Sequence, residues 1–213
     1  MDLRITEIFY SLQGEARSVG RPTVFVRLTG CPQRCSWCDT PYSFQGGEKQ
    51  SLDSILATVA SYGARHVCIT GGEPLAQPNV HPLMRQLCDL GYEVSIETGG
   101  SLDIGEVDPR VTVVMDLKAP DSGEVHNNRL ENLALLKPTD QIKCVLASRR
   151  DYDWARLQLD QHRLVERVAD VLFSPVWDQL PPAQLAEWIL ADRLPVRFQL
   201  QLHKVLWDDA RGR

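Results

Sequence analysis

Three cysteines lie in one short stretch, Cys31-Pro-Gln-Arg-Cys35-Ser-Trp-Cys38, with the spacing C-x3-C-x2-C. Clustered thiolates select soft metals and iron–sulfur clusters. Three are one fewer than a closed structural zinc site takes. They are also one fewer than the four cysteines that normally hold a four-iron cluster. A loop of this kind leaves one corner of a metal centre open to another ligand. The same spacing would also serve a zinc knuckle completed by a distant fourth ligand, or three structural thiols.

Other residues near and beyond this loop have chemistry to offer. Thr40 follows in Cys38-Asp39-Thr40. It is a turn or cap residue by default, or a hydroxyl facing a small hard ion such as Mg²⁺, which takes few protein groups and keeps several waters. In Thr70-Gly71-Gly72-Glu73-Pro74 the paired glycines let a ligand approach the backbone closely, and Pro74 holds Glu73 extended. Ser11-Leu12-Gln13-Gly14-Glu15 reads as a surface turn. It also reads as a set for the edge of a heterocycle, because Gln both donates and accepts while an ionised Glu accepts N–H bonds. Arg27 interrupts the apolar run Phe25-Val26-Arg27-Leu28. A buried arginine needs a partner, so it serves either an internal ion pair or a bidentate carboxylate clamp. Trp37, just before the third cysteine, shields a metal centre from water and so tunes it.

These residues must be positioned by something regular. Short β-rich runs bounded by Gly, Pro or Asp occur at 23–28, 66–70, 93–97, 111–117, 141–146, 168–173 and 196–202, with a further one at 5–12. Helical spacing links Leu52, Ile55, Leu56 and Val59, with Ser51 as N-cap and Gly63 as stop. It recurs at Leu83, Leu87 and Leu90, at Leu130, Leu133 and Leu136 before Pro138, across 152–164, and across 182–190, where Pro182 suits a first turn. The alternation predicts an α/β fold with a mostly parallel sheet. Six or seven strand–helix units are too few to close an eight-unit barrel, so a partial, open βα barrel is expected, with its chemistry at the carboxyl ends of the strands. The cysteine loop, Gly71-Gly72, Glu97-Thr98, Asp116-Leu117-Lys118, Ser174-Pro175 and His203-Lys204 all follow such runs.

The bulk properties agree. The chain has 213 residues, 43% of them hydrophobic, which predicts one domain over 1–213. The formal net charge is −5 and the pI about 5.5, with Lys and Arg scattered, so no nucleic-acid partner is expected. No apolar run reaches the roughly 18 residues of a membrane span, and Met1-Asp-Leu-Arg-Ile-Thr-Glu lacks a signal peptide's apolar stretch. A cytoplasmic protein without a membrane partner is expected. Clustered cysteines in a reducing compartment bind metal or react. Cys68, Cys88 and Cys144, each alone in an apolar segment, read as buried free thiols.

The C-x3-C-x2-C loop resembles that of the radical S-adenosylmethionine (SAM) superfamily, and the Gly-Gly-Glu-Pro segment is its usual companion. Taken in order, Gln13-Gly14-Glu15, Arg27, Cys31/Cys35/Cys38-Asp39-Thr40, Thr70-Gly71-Gly72-Glu73-Pro74, Glu97-Thr98 and His203-Lys204 resemble the 7-carboxy-7-deazaguanine synthase family over nearly the whole chain. That resemblance implies a fold of the radical SAM type and a SAM- and Mg²⁺-dependent radical ring contraction. It would turn 6-carboxy-5,6,7,8-tetrahydropterin into 7-carboxy-7-deazaguanine with loss of ammonia, in queuosine or related 7-deazapurine biosynthesis. It implies a [4Fe-4S] cluster on Cys31, Cys35 and Cys38, and Mg²⁺ on Thr40. Substrate contacts are implied at Leu12, Gln13, Gly14, Glu15, Arg27, Thr70 and His203. SAM contacts are implied at Trp37, Cys38, Asp39, Gly72, Glu97, Lys118 and Ser174. An electron donor such as flavodoxin or ferredoxin and a homodimer come with it. A glycyl-radical-enzyme activase, also small and with the same cysteine spacing, is the rival enzyme class, but it leaves Gln13-Gly14-Glu15 and Arg27 without a purpose.

The chain departs from the family pattern at several places. Ala16 stands where Gly is usual, a mild change where the backbone φ is negative. Asp116-Leu117-Lys118 stands in place of Ser-Pro-Lys, with only Lys118 matching. Ser174-Pro175 stands where Gln-Pro is common. The tail through Arg213 is longer than in members that place a terminal carboxylate on the substrate.

Overall fold

The computed structural model describes residues 1–208 and 210–212. A single sheet carries the elements, with strand order β3-β1-β2-β4-β5-β6-β7-β8-β9. The strands are β1 (Asp2–Leu12), β2 (Pro22–Leu28), β3 (Glu48–Ser51), β4 (His66–Gly71), β5 (Glu93–Thr98), β6 (Thr112–Asp116), β7 (Gln141–Leu146), β8 (Asp170–Pro175) and β9 (Arg197–Phe198). From β2 to β9 every pairing is parallel, whereas β1 pairs antiparallel with both β2 and β3. The sheet does not close, so the expected open βα barrel is what forms.

The longer helices are α1 (Leu52–Ser61), α2 (Val80–Asp89), α3 (Arg149–His162) and α5 (Pro182–Ala191), with short α4 (Leu164–Arg167) and α6 (Leu202–Trp207). Ser51 caps α1 by accepting from the Ser54 N–H, and Ser148 does the same for α3 from Asp151. Helix side chains such as Ile55, Leu83, Leu87, Tyr152 and Leu185 share one buried core with Val26, Ile69, Ile96, Val113, Met115 and Ile142 from the strands. Because side chains alternate along a strand, the neighbours Arg27, Thr70, Glu97, Val114 and Lys143 are turned to the other face, where they line a cavity.

One strand was not foreseen and three expectations change. The all-polar sequence 48–51 forms edge strand β3 by backbone pairing of Asp2–Ile5 with Glu48–Ser51. The stretch around Leu130–Leu136 is a 3-10 turn (Leu130–Ala134) rather than an α-helix. There the Asn132 side chain serves the backbone of Gly100, Leu102 and Ile104, which competes with helix formation. The run 196–202 keeps only Arg197–Phe198 as strand. Gln199 then leaves the sheet to grip Ala16, and Leu202 opens α6 with its N–H on Gly14 O at 2.9 Å. Of the single cysteines Cys68 and Cys144 are buried, but Cys88 is only half-buried.

Ala16 has φ 61°, left-handed backbone, so the condition for a mild change is not met. It is held there by two hydrogen bonds with the Gln199 amide, at 2.7 and 2.9 Å, and its methyl packs on Val114 and Leu172. For Ala16→Gly, relief of left-handed strain of about 1–2 kcal/mol is offset by a buried methyl worth about 0.8 kcal/mol and by added chain entropy. Stability should stay within about 1 kcal/mol. Ala16→Val, β-branched at positive φ and overpacked, should lose about 2 kcal/mol or more. Thermal unfolding of the two variants checks both signs.

Candidate active site

A cavity of ≈ 700 Å³ opens at the carboxyl ends of the parallel strands. It is lined by every residue expected above to hold the cluster, Mg²⁺, SAM or substrate except Ser174: Leu12, Gln13, Gly14, Glu15, Arg27, Cys31, Cys35, Trp37, Cys38, Asp39, Thr40, Thr70, Gly72, Glu97, Lys118 and His203. Ser174 stands on β8 beside Val145, its hydroxyl buried with no hydrogen-bond partner among the described residues. At that point Val145 and Val176 form the wall instead. Glu73 also stays out. Its buried carboxylate accepts from Thr98 Oγ1, the Gly99 N–H and the Leu75 N–H at 2.7–3.0 Å, bracing the ends of β4 and β5. Burial pushes this carboxyl up.

The thiol end of the cavity is built from the loop after β2. That loop is tied down by Gly30 N–H on Ser43 O (2.8 Å), Ser36 N–H on Ser122 O (3.0 Å) and Arg34 N–H on the Glu124 carboxylate (2.7 Å). Burial raises the Cys31 and Cys35 thiols, and Lys118 works against that rise in both. Among the described residues no three His, Cys, Asp or Glu side chains gather round a single ion. A four-iron cluster spreads its cysteines over separate irons and needs no such convergence. Gly72 lies against this loop so closely that a Cβ there would meet Gly30 O at 2.2 Å and Cys31 Cβ at 2.8 Å. Thr40 Oγ1 lies 3.9 Å from Cys38 Sγ.

The other end is polar and charged. Arg27 Nε donates to Glu7 at 2.8 Å, and Tyr42 OH donates to the same oxygen at 2.8 Å. The guanidinium is flanked by the Phe9 and Tyr42 rings, and its terminal nitrogens carry no hydrogen bond among the described residues. Thr70, paired in register with Arg27, donates to Glu97 at 3.0 Å, and Gln13 Nε2 donates to the other Glu97 oxygen at 3.1 Å. Glu97 therefore sits with Gln13 and Thr70, two of the residues expected on the substrate side. Burial raises its carboxyl. Glu15 meets Lys143 Nζ and, at 2.8 Å, Gln201 Nε2. His203 packs on Gly14 so tightly that a Cβ there would lie 2.2 Å from its Nδ1, so a larger residue at 14 would push the imidazole aside. Asp116 takes Lys118 at 2.7 Å, and its Oδ1 is buried and unbonded, 3.5 Å from Lys143. Lys143, Asp116, Gln201 and Tyr42 were missed by sequence reading or doubted there. The signal for Lys143 was present: a cation inside the apolar strand Gln141–Leu146.

The comparisons with known proteins point one way. Residues 25–121 match the radical SAM superfamily model. A 7-carboxy-7-deazaguanine synthase of Chlorobaculum tepidum is 47% identical over 99% of this chain and 97% of its own length. The chain belongs to the 7-carboxy-7-deazaguanine synthase family. A further family member, from Koribacter versatilis, is 43% identical over 96% of this chain and 97% of its own. The crystal structure of QueE from Escherichia coli superposes with a TM-score of 0.76 at 28% identity, covering 95% of each chain. The molecule is thus a radical SAM enzyme of this family, whose cofactors are a [4Fe-4S] cluster and SAM. The residues fit both: three thiols on one wall, a backbone cradle at Gly72 that a side chain would fill, and the buried Gln33 Nε2, which has no hydrogen-bond partner among the described residues, at the same end. Among the described residues no helix is long and apolar enough to cross a membrane.

Proposed function

We propose that the 213 residues work as one domain that converts 6-carboxy-5,6,7,8-tetrahydropterin into 7-carboxy-7-deazaguanine with loss of ammonia, with Mg²⁺ as a third cofactor, for 7-deazapurine biosynthesis. The observation that carries this is one cavity with the three thiols at one end and, at the other, an arginine whose terminal nitrogens carry no hydrogen bond among the described residues, near the acceptors Glu15 and Glu97. A carboxylate and an N–H-rich heterocycle on one molecule match that pair of features.

In this reading Cys31, Cys35 and Cys38 hold the cluster, while Trp37, Cys38, Asp39, Gly72 and Lys118 hold SAM. When bound, these cofactors supply a 5′-deoxyadenosyl radical to the substrate. Arg27 clamps the substrate carboxylate through its terminal nitrogens, with Nε already fixed by Glu7. Glu15 and Glu97 accept the N–H groups of the pyrimidine edge, and Gln13 and Thr70 hold Glu97 in place. Leu12, Gly14 and His203 close on the ring. The Phe9 and Phe25 rings, stacked at 4.9 Å, exclude water beside Arg27. Ser174, behind the wall, plays no part in this assignment. The enzyme acts in the cytoplasm as a homodimer fed by a flavodoxin- or ferredoxin-type donor.

Anaerobic incubation of the reconstituted enzyme with the carboxytetrahydropterin, SAM, Mg²⁺ and a reductant tests the proposal. Carboxydeazaguanine should accumulate over many turnovers. Deoxyadenosine without that product would move the substrate elsewhere, towards an activase or another small molecule. The Thr40 hydroxyl is a hard donor beside the thiols. Thr40→Ala should raise the Mg²⁺ concentration for half-maximal rate about tenfold or more, with iron content unchanged. Loss of iron in that variant would mean that Thr40 supports the cluster loop instead.

A further inference from the structure

We propose that Lys143 is a positioning residue: from the floor of the cavity it holds Glu15 ionised and aimed as the acceptor for the N–H edge of the substrate. The inference deepens the reading above and rests on it. Lys143 stands on the rigid strand β7, buried, with its Nζ on Glu15 Oε2 and 3.5 Å from Asp116 Oδ1. Glu15 itself sits on the loop after β1. Its other oxygen accepts from Gln201 at 2.8 Å. A carboxylate offers about four lone-pair sites, so two are spent on aim and two remain for donors entering the cavity that Glu15 lines.

The pairing is not needed to hold the loop. The Arg17 N–H is bound by Gln141 at 2.7 Å, Ala16 by both ends of the Gln199 amide, and Gly14 O by the Leu202 N–H. Lys143 therefore acts on the carboxylate and not on the chain that carries it. Its setting explains why a cation is required. Glu15, Glu97 and Asp116 meet in one buried space, where unpaired carboxylates do not stay charged. Arg27 is engaged by Glu7 and Lys118 by Asp116, which leaves Lys143 and His203 facing Glu15. Burial pushes the Glu15 carboxyl up, yet Lys143 first and His203 second bring it down to about 2. Without the lysine, burial dominates, and Glu15 spends part of its time as a neutral acid. A neutral acid presents a donor where the substrate also presents donors.

The test is anaerobic calorimetric binding of 6-carboxytetrahydropterin to reconstituted holoenzyme with SAM and Mg²⁺ but no reductant, between about pH 6 and pH 8.5. Wild type should bind with little dependence on the state of Glu15. Lys143→Met should bind about 30-fold or more weakly near neutral pH, and its affinity should climb with pH as Glu15 ionises. Lys143→Arg should return to within about tenfold of wild type. Lys143→Gln replaces the Met variant should the latter fail to fold, as judged by iron content and thermal unfolding. Unchanged affinity, or a loss equal at every pH, in a folded variant overturns the positioning role while leaving the synthase reading intact. Failure of wild type to bind the pterin overturns both.

Discussion

Arg27→Ala is expected to lower carboxydeazaguanine formation about a thousandfold, while SAM cleavage to deoxyadenosine continues without coupling to product. The guanidinium lies on β2, largely buried between the Phe9 and Tyr42 rings, with its orientation set by one hydrogen bond to Glu7. Truncating one partner of a desolvated charge pair costs about 2–5 kcal/mol, so a thousandfold loss lies within that range. The thiols lie at the other end of the cavity and their loop is held by Ser43, Ser122 and Glu124, not by Arg27. Arg27→Lys keeps the charge but loses the fork, and should recover only part of the rate. The ratio of product to deoxyadenosine is the readout. A parallel fall of both would assign Arg27 to the SAM site or to the fold.

The second large effect is expected from Cys35→Ser. A serine hydroxyl is a poor donor to iron where a soft thiolate is wanted, and a three-cysteine site has no spare ligand. Iron and labile sulfide should fall from about four per chain to a small residue, and product should become undetectable. Burial raises the Cys31 and Cys35 thiols, with Lys118 pulling the other way, so cluster assembly must displace protons from them. Wild-type protein that carries one zinc and no sulfide would contradict this assignment.

Much of the site was legible because its signals are local. Three thiols in eight residues, paired glycines before Glu-Pro, and an arginine inside an apolar strand need no knowledge of distant contacts. The parallel sheet was legible for the same reason, since runs such as 66–71 and 141–146 are short and rich in apolar and β-branched residues. What escaped depends on partners far along the chain. Strand β3 is all polar and exists by pairing with β1. Strand β9 is cut short because Gln199 reaches back 183 residues to Ala16. That same contact accompanies the positive φ of Ala16. Glu97 was expected among the SAM contacts, and its hydrogen bonds from Thr70 and Gln13, residues expected on the substrate side, are contacts that only the fold brings together. Lys143 gave the same local signal as Arg27, and its worth lay in Glu15, 128 residues away.

The most direct measurement of the central claim is an anaerobic crystal structure of the reconstituted enzyme with SAM and 6-carboxytetrahydropterin. The substrate carboxylate should lie in two-point contact with the terminal nitrogens of Arg27, with the pyrimidine edge on Glu15 and Glu97 and the ring between them and the thiol loop. A carboxylate turned away from Arg27, or a heterocycle bound outside this cavity, would contradict it.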